Sequence, residues 1–526
     1  MKHTTMNGAE CLLRTLLANG VDTCFMNPGT SEMQFVSALD RVEGMRAVLC
    51  LFEGVCSGAA DGYARMTGRP AATLLHLGPG LANALSNFHN ARKARSPVLS
   101  IVGQHSTQHL RFDAPLTSDI EALARTVSSH VRTVERVEDM AKEASAAVQA
   151  ARAAPGAVAT LIVPADFSWS ETGEPGPALP RLPAPGPPAG RIQKAAEVLR
   201  CGQPAGLLLG GSALLTAGFQ PAALLAAATG VRVLGNRNGA RYECGGGRAA
   251  PLRLPYFPEP AEAALAGLKH LILVESQTPI SVFGYPGRRS ELAPQDCTIH
   301  VLASVEENGV EALLALAREL GVDPAPPPVL HAPKPDWPHT ADLTPDAIGR
   351  VLAHLLPEGA IISDETVSSG EALLRHLASA AAHDLLPVAG GSIGQGLPVA
   401  VGAALACPTR KVIALEADGS ALYTLQSLWS MARERLDVTT VILANRRYRI
   451  LDIEMRRTGA GAVGPRADRM IDLTRPEPDW VKLAEGLGVN AVRIATPDEF
   501  ILEFGSAMCQ PGPRLIEAVL DRSSPA

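Results

Sequence analysis

Short, mainly apolar runs recur along this 526-residue sequence. In the first third they cover 21–26, 47–52, 71–75, 97–102 and 157–163. The middle of the chain has 205–209, 231–234, 270–274 and 298–302, and the last third has 360–363, 411–415, 438–443, 491–494 and 514–519. Helical stretches rich in Ala, Leu and Gly separate them. A strand that is apolar on both faces has to be covered on both faces, as in a parallel sheet flanked by helices. The fold class expected is therefore α/β, with three doubly wound parallel sheets.

Two segments punctuate the pattern. Residues 171–190 hold seven prolines and four glycines, and 324–338 hold seven more prolines. Neither can carry a helix interior or a central strand, so both are expected to be extended spacers. They divide the chain into a first domain at 1–170, a linker at 171–190, a middle domain at 191–323, a second linker at 324–339 and a last domain at 340–526.

Charge and composition narrow the function classes. Lys+Arg 47 against Asp+Glu 53, with 4% aromatics, lack the basic surface and stacking platforms of a nucleic-acid binder. No run nears the 18 or so apolar residues that a membrane helix needs, so no membrane partner is expected. The first apolar stretch, Cys11-Leu12-Leu13, is cut by Arg14 and reads as an amphipathic helix, not a signal sequence. Nine cysteines without a Cys-x-x-Cys pair fit a reducing, cytoplasmic setting with neither disulfide framework nor zinc site.

In doubly wound sheets ligands gather at the carboxyl ends of the strands, so the polar residues there carry the functional signal. The run at 411–415 leads into Asp418-Gly419-Ser420, and 423–431 reads as a helix. The next run ends at Ala444-Asn445, 27 positions (445 − 418) beyond Asp418. One strand–helix–strand unit thus brings two hard oxygen ligands, Asp418 and Asn445, to one sheet edge. Such a pair suits Mg²⁺, which completes its octahedron with phosphate oxygens, and N–H groups at Gly419 and Ser420 would face those phosphates. An Asp-Gly-Ser turn alone is usually only a turn, and Asp61-Gly62 is a decoy inside or ending a helix.

With that spacing, Asp418-Gly419-Ser420 and Asn445 resemble the metal–diphosphate motif of thiamine diphosphate (ThDP) enzymes. Asn27-Pro28-Gly29-Thr30-Ser31-Glu32, Leu51-Phe52-Glu53 and Ala59-Ala60-Asp61-Gly62-Tyr63-Ala64-Arg65 look like the pyrimidine-binding domain of the acetolactate synthase, pyruvate oxidase and benzoylformate decarboxylase superfamily. Gly390 to Pro398 resembles the family segment beneath the bend of the cofactor. The motifs span the whole chain in the family order: pyrimidine domain, middle domain, diphosphate domain.

The resemblance implies ThDP and Mg²⁺ as cofactors and assigns roles. Glu53 matches the glutamate that hydrogen-bonds the aminopyrimidine, and burial there is expected to raise its pKa. Ile393 matches the apolar residue that holds the cofactor in its V shape, and the Gly391 carbonyl would accept from the 4′-amino group. Ser368 is a candidate diphosphate contact or a helix cap. Tyr448 and the Arg447 carbonyl match positions around diphosphate and metal. Thr30 and His76 match the places where benzoylformate decarboxylase presents a serine and a histidine to the 2-oxo acid. Asn83 would contact cofactor or substrate. His105 and His109 are read as solvated.

Departures matter as much. Acetolactate synthases have Phe-Gln after Asp-Ala, whereas Asp113-Ala114 is followed here by Pro115-Leu116, which is closer to the apolar wall of the decarboxylase. The decarboxylase's second histidine has no match near 279–287, and the paired histidines of pyruvate decarboxylase are absent. Ala417 and Ala444-Asn445-Arg446 replace the family's Gly-Asp and Asn-Asn-Gly. Leu209-Gly210-Gly211-Ser212-Ala213 is not a dinucleotide fingerprint, so FAD is not expected.

The activity expected is ThDP/Mg²⁺-dependent decarboxylation of a 2-oxo acid through an enamine, ending in aldehyde release or in ligation to a second carbonyl. Acetolactate synthase-type carboligation of pyruvate and a catalytically silent regulatory paralogue are the alternatives. Arg446, Arg447, Arg449, Arg456 and Arg457 either form a solvated, ion-paired face with Asp452 and Glu454 or recognise a second anionic group. A homodimer or homotetramer with sites between subunits is implied.

Overall fold

A computed structural model of the chain describes residues 6–248, 251–322 and 332–521. Part of the second expected linker, 324–331, lies outside the described residues.

Three α/β units form, each around its own sheet. The first sheet has six parallel strands in the order Arg46–Leu49, Thr23–Asn27, Ala71–Leu75, Val98–Gln104, Val158–Pro164, His130–Thr133. The third follows the same plan: His383–Pro387, Ala360–Glu365, Val412–Ala417, Val438–Ala444, Arg514–Val519, Asn490–Ile494. In both, the first strand in the chain lies between the second and the third. The order reverses there, and a crevice opens beyond the strand ends. The middle sheet runs Leu252–Arg253, Arg232–Gly235, Ala205–Leu209, His270–Val274, Thr298–Ala303.

Several strands escape the apolar-run rule. His383–Pro387 is buried at every position although His383, Asp384 and Pro387 interrupt its apolar run. Arg241 and Arg410 both pair with Asp384, which lets it sit in a sheet. Tyr242–Cys244, from the stretch expected to be middle domain, adds antiparallel to the His383 edge of the third sheet. The expected spacer at 171–190 contributes Glu171–Thr172, which pairs with Met6–Asn7, and its end already belongs to the helix Ala189–Arg200.

The first and third units share one hydrophobic core. At its centre the helix Glu53–Thr67 lies against the helix Gly396–Ala406, and glycines set the spacing. A Cβ on Gly62 would stand 2.2 Å from the Val399 carbonyl oxygen, and one on Gly402 1.9 Å from that of Ala59. Asp61, the decoy, is structural. It forms a fully buried bidentate pair with Arg65, whose Nη1 donates to the carbonyls of Pro387 (2.8 Å) and Ala240 (3.3 Å). One guanidinium therefore joins all three units.

Candidate active site

In the first sheet the reversal falls between Thr23–Asn27 and Ala71–Leu75, so the residues after each strand meet. After the first, Thr30–Glu32 forms a single tight turn, and the Glu32 side chain accepts from the Gly29 N–H at 2.8 Å. After the second comes His76, whose Nδ1 lies 2.8 Å from the same Glu32 oxygen. Two glycines make room for the pair. A Cβ on Gly29 would strike the His76 ring at 2.3 Å, and one on Gly103 would overlap Glu32 Oε1 at 1.6 Å. Burial pushes the Glu32 carboxyl up, against the pull of the Gly29 N–H and of His76. Leu77 follows His76 with φ +55°, a left-handed conformation costly for a leucine, which turns the chain sharply into the helix Leu77–Ala94. Thr30 is exposed at the rim of this turn.

Glu53 is the first residue of its helix and stands over the opening turns of the next one. Asn83 Nδ2 donates to Glu53 Oε2 at 3.0 Å, and a Cβ on Gly80 would come within 3.4 Å of Oε1. Glu53 is half-buried and Asn83 exposed. The burial expected at Glu53 is thus only partly supplied by the described residues.

In the third sheet the reversal lies between Ala360–Glu365 and Val412–Ala417. Asp418 is buried at 4% exposure and opens a four-residue helix, Asp418–Ala421. A second helix, Ser427–Arg433, follows; the single helix expected over 423–431 is broken and begins later. Asp418 accepts from the N–H groups of Gly419 (2.9 Å) and Arg446 (2.5 Å), which ties the ends of two neighbouring strands together. Burial lifts its carboxyl to about 6, opposed by those N–H groups. Asn445, also buried, accepts from the Arg447 N–H at 2.9 Å. A Cβ on Gly419 would strike the Tyr448 ring at 2.4 Å, and the Tyr448 hydroxyl reaches the Gly419 carbonyl at 3.4 Å. Ser420 is buried. Ser368 is half-buried in the turn Val367–Ser369, which packs against both Val412–Ala417 and the helix Arg449–Arg457.

The segment 390–394 is gripped from two sides. Asn87 donates to the Gly394 carbonyl (3.0 Å) and Asn90 to that of Ser392 (2.8 Å), both from the helix that His76 introduces. From beneath, Glu365 accepts from the N–H groups of Gly394 (2.6 Å) and Gly396 (2.5 Å). Burial pushes Glu365 up to about 7. Glu416, its partner in register, is fully buried with no hydrogen bond on either oxygen among the described residues, and burial together with Glu365 pushes it well up. Gly391 is exposed with φ +80°, and Ile393 is half-buried beside it.

Among the described residues no cluster of three or more His, Cys, Asp or Glu could hold a metal by itself. A buried carboxylate without a cation, beside an amide oxygen with one lone pair to spare, nonetheless fits a divalent ion completed by phosphate oxygens. The Arg447 carbonyl already accepts from the Arg449 N–H at 2.8 Å and could offer its second lone pair. The Arg447 side chain is held by Asp452 and Asp468, and Arg457 by Glu259, whereas Glu454 accepts from the Tyr285 hydroxyl. These two arginines are thus ion-paired, Arg457 with a partner from the middle unit. His105 bonds the Pro115 carbonyl at 3.2 Å, and His109 is exposed. No hydrogen bond or ion pair among the described residues joins Glu53 or His76 to Asp418 or Asn445.

Residues 6–129 match the family described as thiamine pyrophosphate enzyme, N-terminal TPP binding domain, and residues 370–518 its C-terminal TPP binding domain. The chain belongs to the thiamine pyrophosphate enzyme family. It is 50% identical over 517 residues to the Mycobacterium tuberculosis protein named "Putative acetolactate synthase large subunit IlvX", covering 98% of this chain and 99% of that one. It is 29% identical over 546 residues to benzoylformate decarboxylase of Pseudomonas aeruginosa, covering 95% and 96%. Among solved structures, the ThDP-dependent 4-hydroxybenzoylformate decarboxylase of Rhodococcus jostii RHA1 superposes with a TM-score of 0.85 at 26% identity, covering 98% of this chain and 100% of that one. In this thiamine pyrophosphate enzyme, sequence reasoning did not single out Glu32, Asn87, Asn90 or Glu365. Glu32 stands three residues after Gly29, which follows the strand Thr23–Asn27, and a turn-capping carboxylate is the expected chemistry there.

Proposed function

We propose that this chain catalyses ThDP- and Mg²⁺-dependent decarboxylation of a 2-oxo acid, with the product released as an aldehyde. The observation that carries the reading is the Glu32–His76 pair at the end of the first sheet, beside Thr30 and across Gly80 from Glu53. When bound, ThDP supplies the electron sink that CO₂ loss requires. The chain's residues do the rest. Asp418 and Asn445 hold Mg²⁺; Ser368, Gly419, Ser420 and Tyr448 surround the diphosphate. Gly391 and Ile393 support the bend, on a segment fixed by Asn87, Asn90 and Glu365. Glu53, kept in place by Asn83, holds a proton at the aminopyrimidine. Glu32 accepts from His76 Nδ1–H, which leaves Nε2 free to take up or deliver a proton at the reacting carbon.

A second reading, ligation of the decarboxylated fragment to another carbonyl as in acetolactate synthases, is supported by the 50% identity to a protein bearing that name. The half-buried Glu53 and the exposed Leu51 next to it support a homodimer or larger homo-oligomer whose partner completes the site. All nine cysteines are unpaired, which supports the cytoplasm. The decisive experiment measures CO₂ release from pyruvate and from branched-chain, aromatic and dicarboxylic 2-oxo acids, with and without ThDP and Mg²⁺, with products identified by NMR. Aldehyde formation that needs both additions is expected. Acyloin formation would select the second reading, and no CO₂ from any member would overturn both.

A further inference from the structure

The arginines that the sequence offers for anion recognition include two that are ion-paired at 447 and 457. A different guanidinium is left with its donors unused. Arg237 follows the strand Arg232–Gly235 of the middle sheet, at the end that faces the third sheet. Its side chain is half-buried and makes no hydrogen bond among the described residues; its guanidinium carbon lies 4.6 Å from the centre of the Tyr256 ring. A guanidinium carries five N–H donors, and those of Arg237 keep contact with solvent and are left for a ligand to take.

Arg253 stands beside it because Leu252–Arg253 pairs in register with Leu234–Gly235. Its Nε donates to the Arg237 carbonyl at 3.0 Å, its guanidinium carbon lies 5.6 Å from the centre of the Tyr242 ring, and its Nη1 lies 3.7 Å from Asp364. Asp364 is the carboxylate facing the two cations, and one of its oxygens is already taken by the N–H and hydroxyl of Thr366. Two positive charges thus face one negative charge, and burial with the adjacent Arg253 pushes Arg237 down to about 10. The nearby Glu454 accepts from Tyr285, and Glu259 is held by Arg457 and Arg288.

The location ties this pair to the candidate active site. Asp364 precedes Glu365, which grips the 394–396 turn, and the next residues form the Val367–Ser369 turn against the helix Arg449–Arg457. Tyr285 and Phe257 of the middle unit contact that same helix through Glu454 and Arg457. We infer that Arg237, with Arg253 beside it, binds a second oxyanion group, a carboxylate or phosphate, at the end of the substrate remote from the 2-oxo acid. A planar guanidinium fork beside an aromatic ring can present two parallel donors to such a group. The inference rests on the decarboxylase reading for the identity of the rest of the substrate.

The test has two arms. In the first, kcat/KM of the ThDP- and Mg²⁺-loaded full chain is measured for a dicarboxylic 2-oxo acid, a phosphonate-bearing one and a neutral isostere. The wild type is expected to prefer at least one anionic substrate. Arg237→Gln is expected to cut that preference roughly 10- to 100-fold, mainly through KM, with Arg237→Lys in between. The anionic substrate preferred tells carboxylate from phosphate. An unchanged ratio, or a wild type that prefers the neutral isostere, overturns the inference. In the second arm, glutarate and inorganic phosphate are titrated calorimetrically into wild type and Arg237→Gln, with thermal melts confirming that both are folded. Saturable binding lost in the variant supports the site; no binding, or equal binding, overturns it. A protein that releases no CO₂ refutes the decarboxylase reading while this second arm still decides the role of Arg237.

Discussion

The carboxylate of Glu32 lies 2.8 Å from Nδ1 of His76 across the reversal of strand order in the first sheet. The contact joins residues 44 positions apart, and it exists because Thr23–Asn27 and Ala71–Leu75 are neighbours in the sheet. A histidine with one nitrogen tied to a buried carboxylate has a fixed orientation, and the carboxylate selects its tautomer.

Glu32→Gln should therefore lower kcat by about 10²-fold, the order of a general acid–base contribution, with little change in ThDP affinity. Its pH–rate profile should move, because the Glu32 carboxyl, pushed up by burial, no longer titrates. Steady-state kinetics from pH 5 to 9, with cofactor titrations, check this. Loss of ThDP binding instead would make Glu32 a structural residue.

Glu53→Gln should leave the fold and melting temperature intact and lower turnover by about 10²- to 10⁴-fold, because the side chain keeps its shape but gives up its proton chemistry. Asn83→Ala removes the hydrogen bond that orients Glu53 and should cost less. Rapid-quench measurement of single turnovers checks both. Full activity in Glu53→Gln would move the proton chemistry elsewhere.

Asp418 and Glu365 carry a pH signature. Their folded values, about 6 and about 7, lie above the ordinary 3.8 and 4.5. The folded chain therefore binds more protons than the unfolded chain across that window, and the stability of the cation-free protein should fall as pH rises from about 4 to about 7. Mg²⁺ with ThDP should bind more weakly below about pH 6, as Asp418 takes up its proton, and should flatten the decline above it. Thermal melts at pH 5, 6, 7 and 8, with and without both additions, check the sign. A cation-free protein that gains stability over this range would contradict the assignment.

Breaking the buried Asp61–Arg65 pair from one side should cost about 3–5 kcal/mol, since the other charge is left buried without its counter-ion. Arg65→Met should be the harsher change, because it also frees the carbonyls of Pro387 and Ala240. Denaturant titration of Asp61→Asn and Arg65→Met against wild type checks the order.

What the sequence made legible follows from which patterns are local. Continuous apolar runs marked the sheet interiors, and 71–75, 205–209, 270–274 and 514–519 coincide with observed strands. His383–Pro387 was hidden because its polar residues are satisfied by arginines distant in sequence, which no window of a few residues contains. Tyr242–Cys244 was hidden because a three-residue edge strand has no periodicity to read. Asp418 and Asn445 were legible from one strand–helix–strand spacing. Glu32 with His76, and Glu365 with Gly394 and Gly396, are contacts between neighbouring strand ends, and spacing alone does not say which strands are neighbours.

The glycine contacts between Glu53–Thr67 and Gly396–Ala406 bring two helix backbones together, with one continuous core around them. Apolar surface shared in this way is lost to both units at once when either opens. The first and third sheets should therefore melt in a single calorimetric transition, its van't Hoff and calorimetric enthalpies agreeing. A fragment cut at either proline-rich segment would carry half of that core bare to water and should aggregate rather than fold.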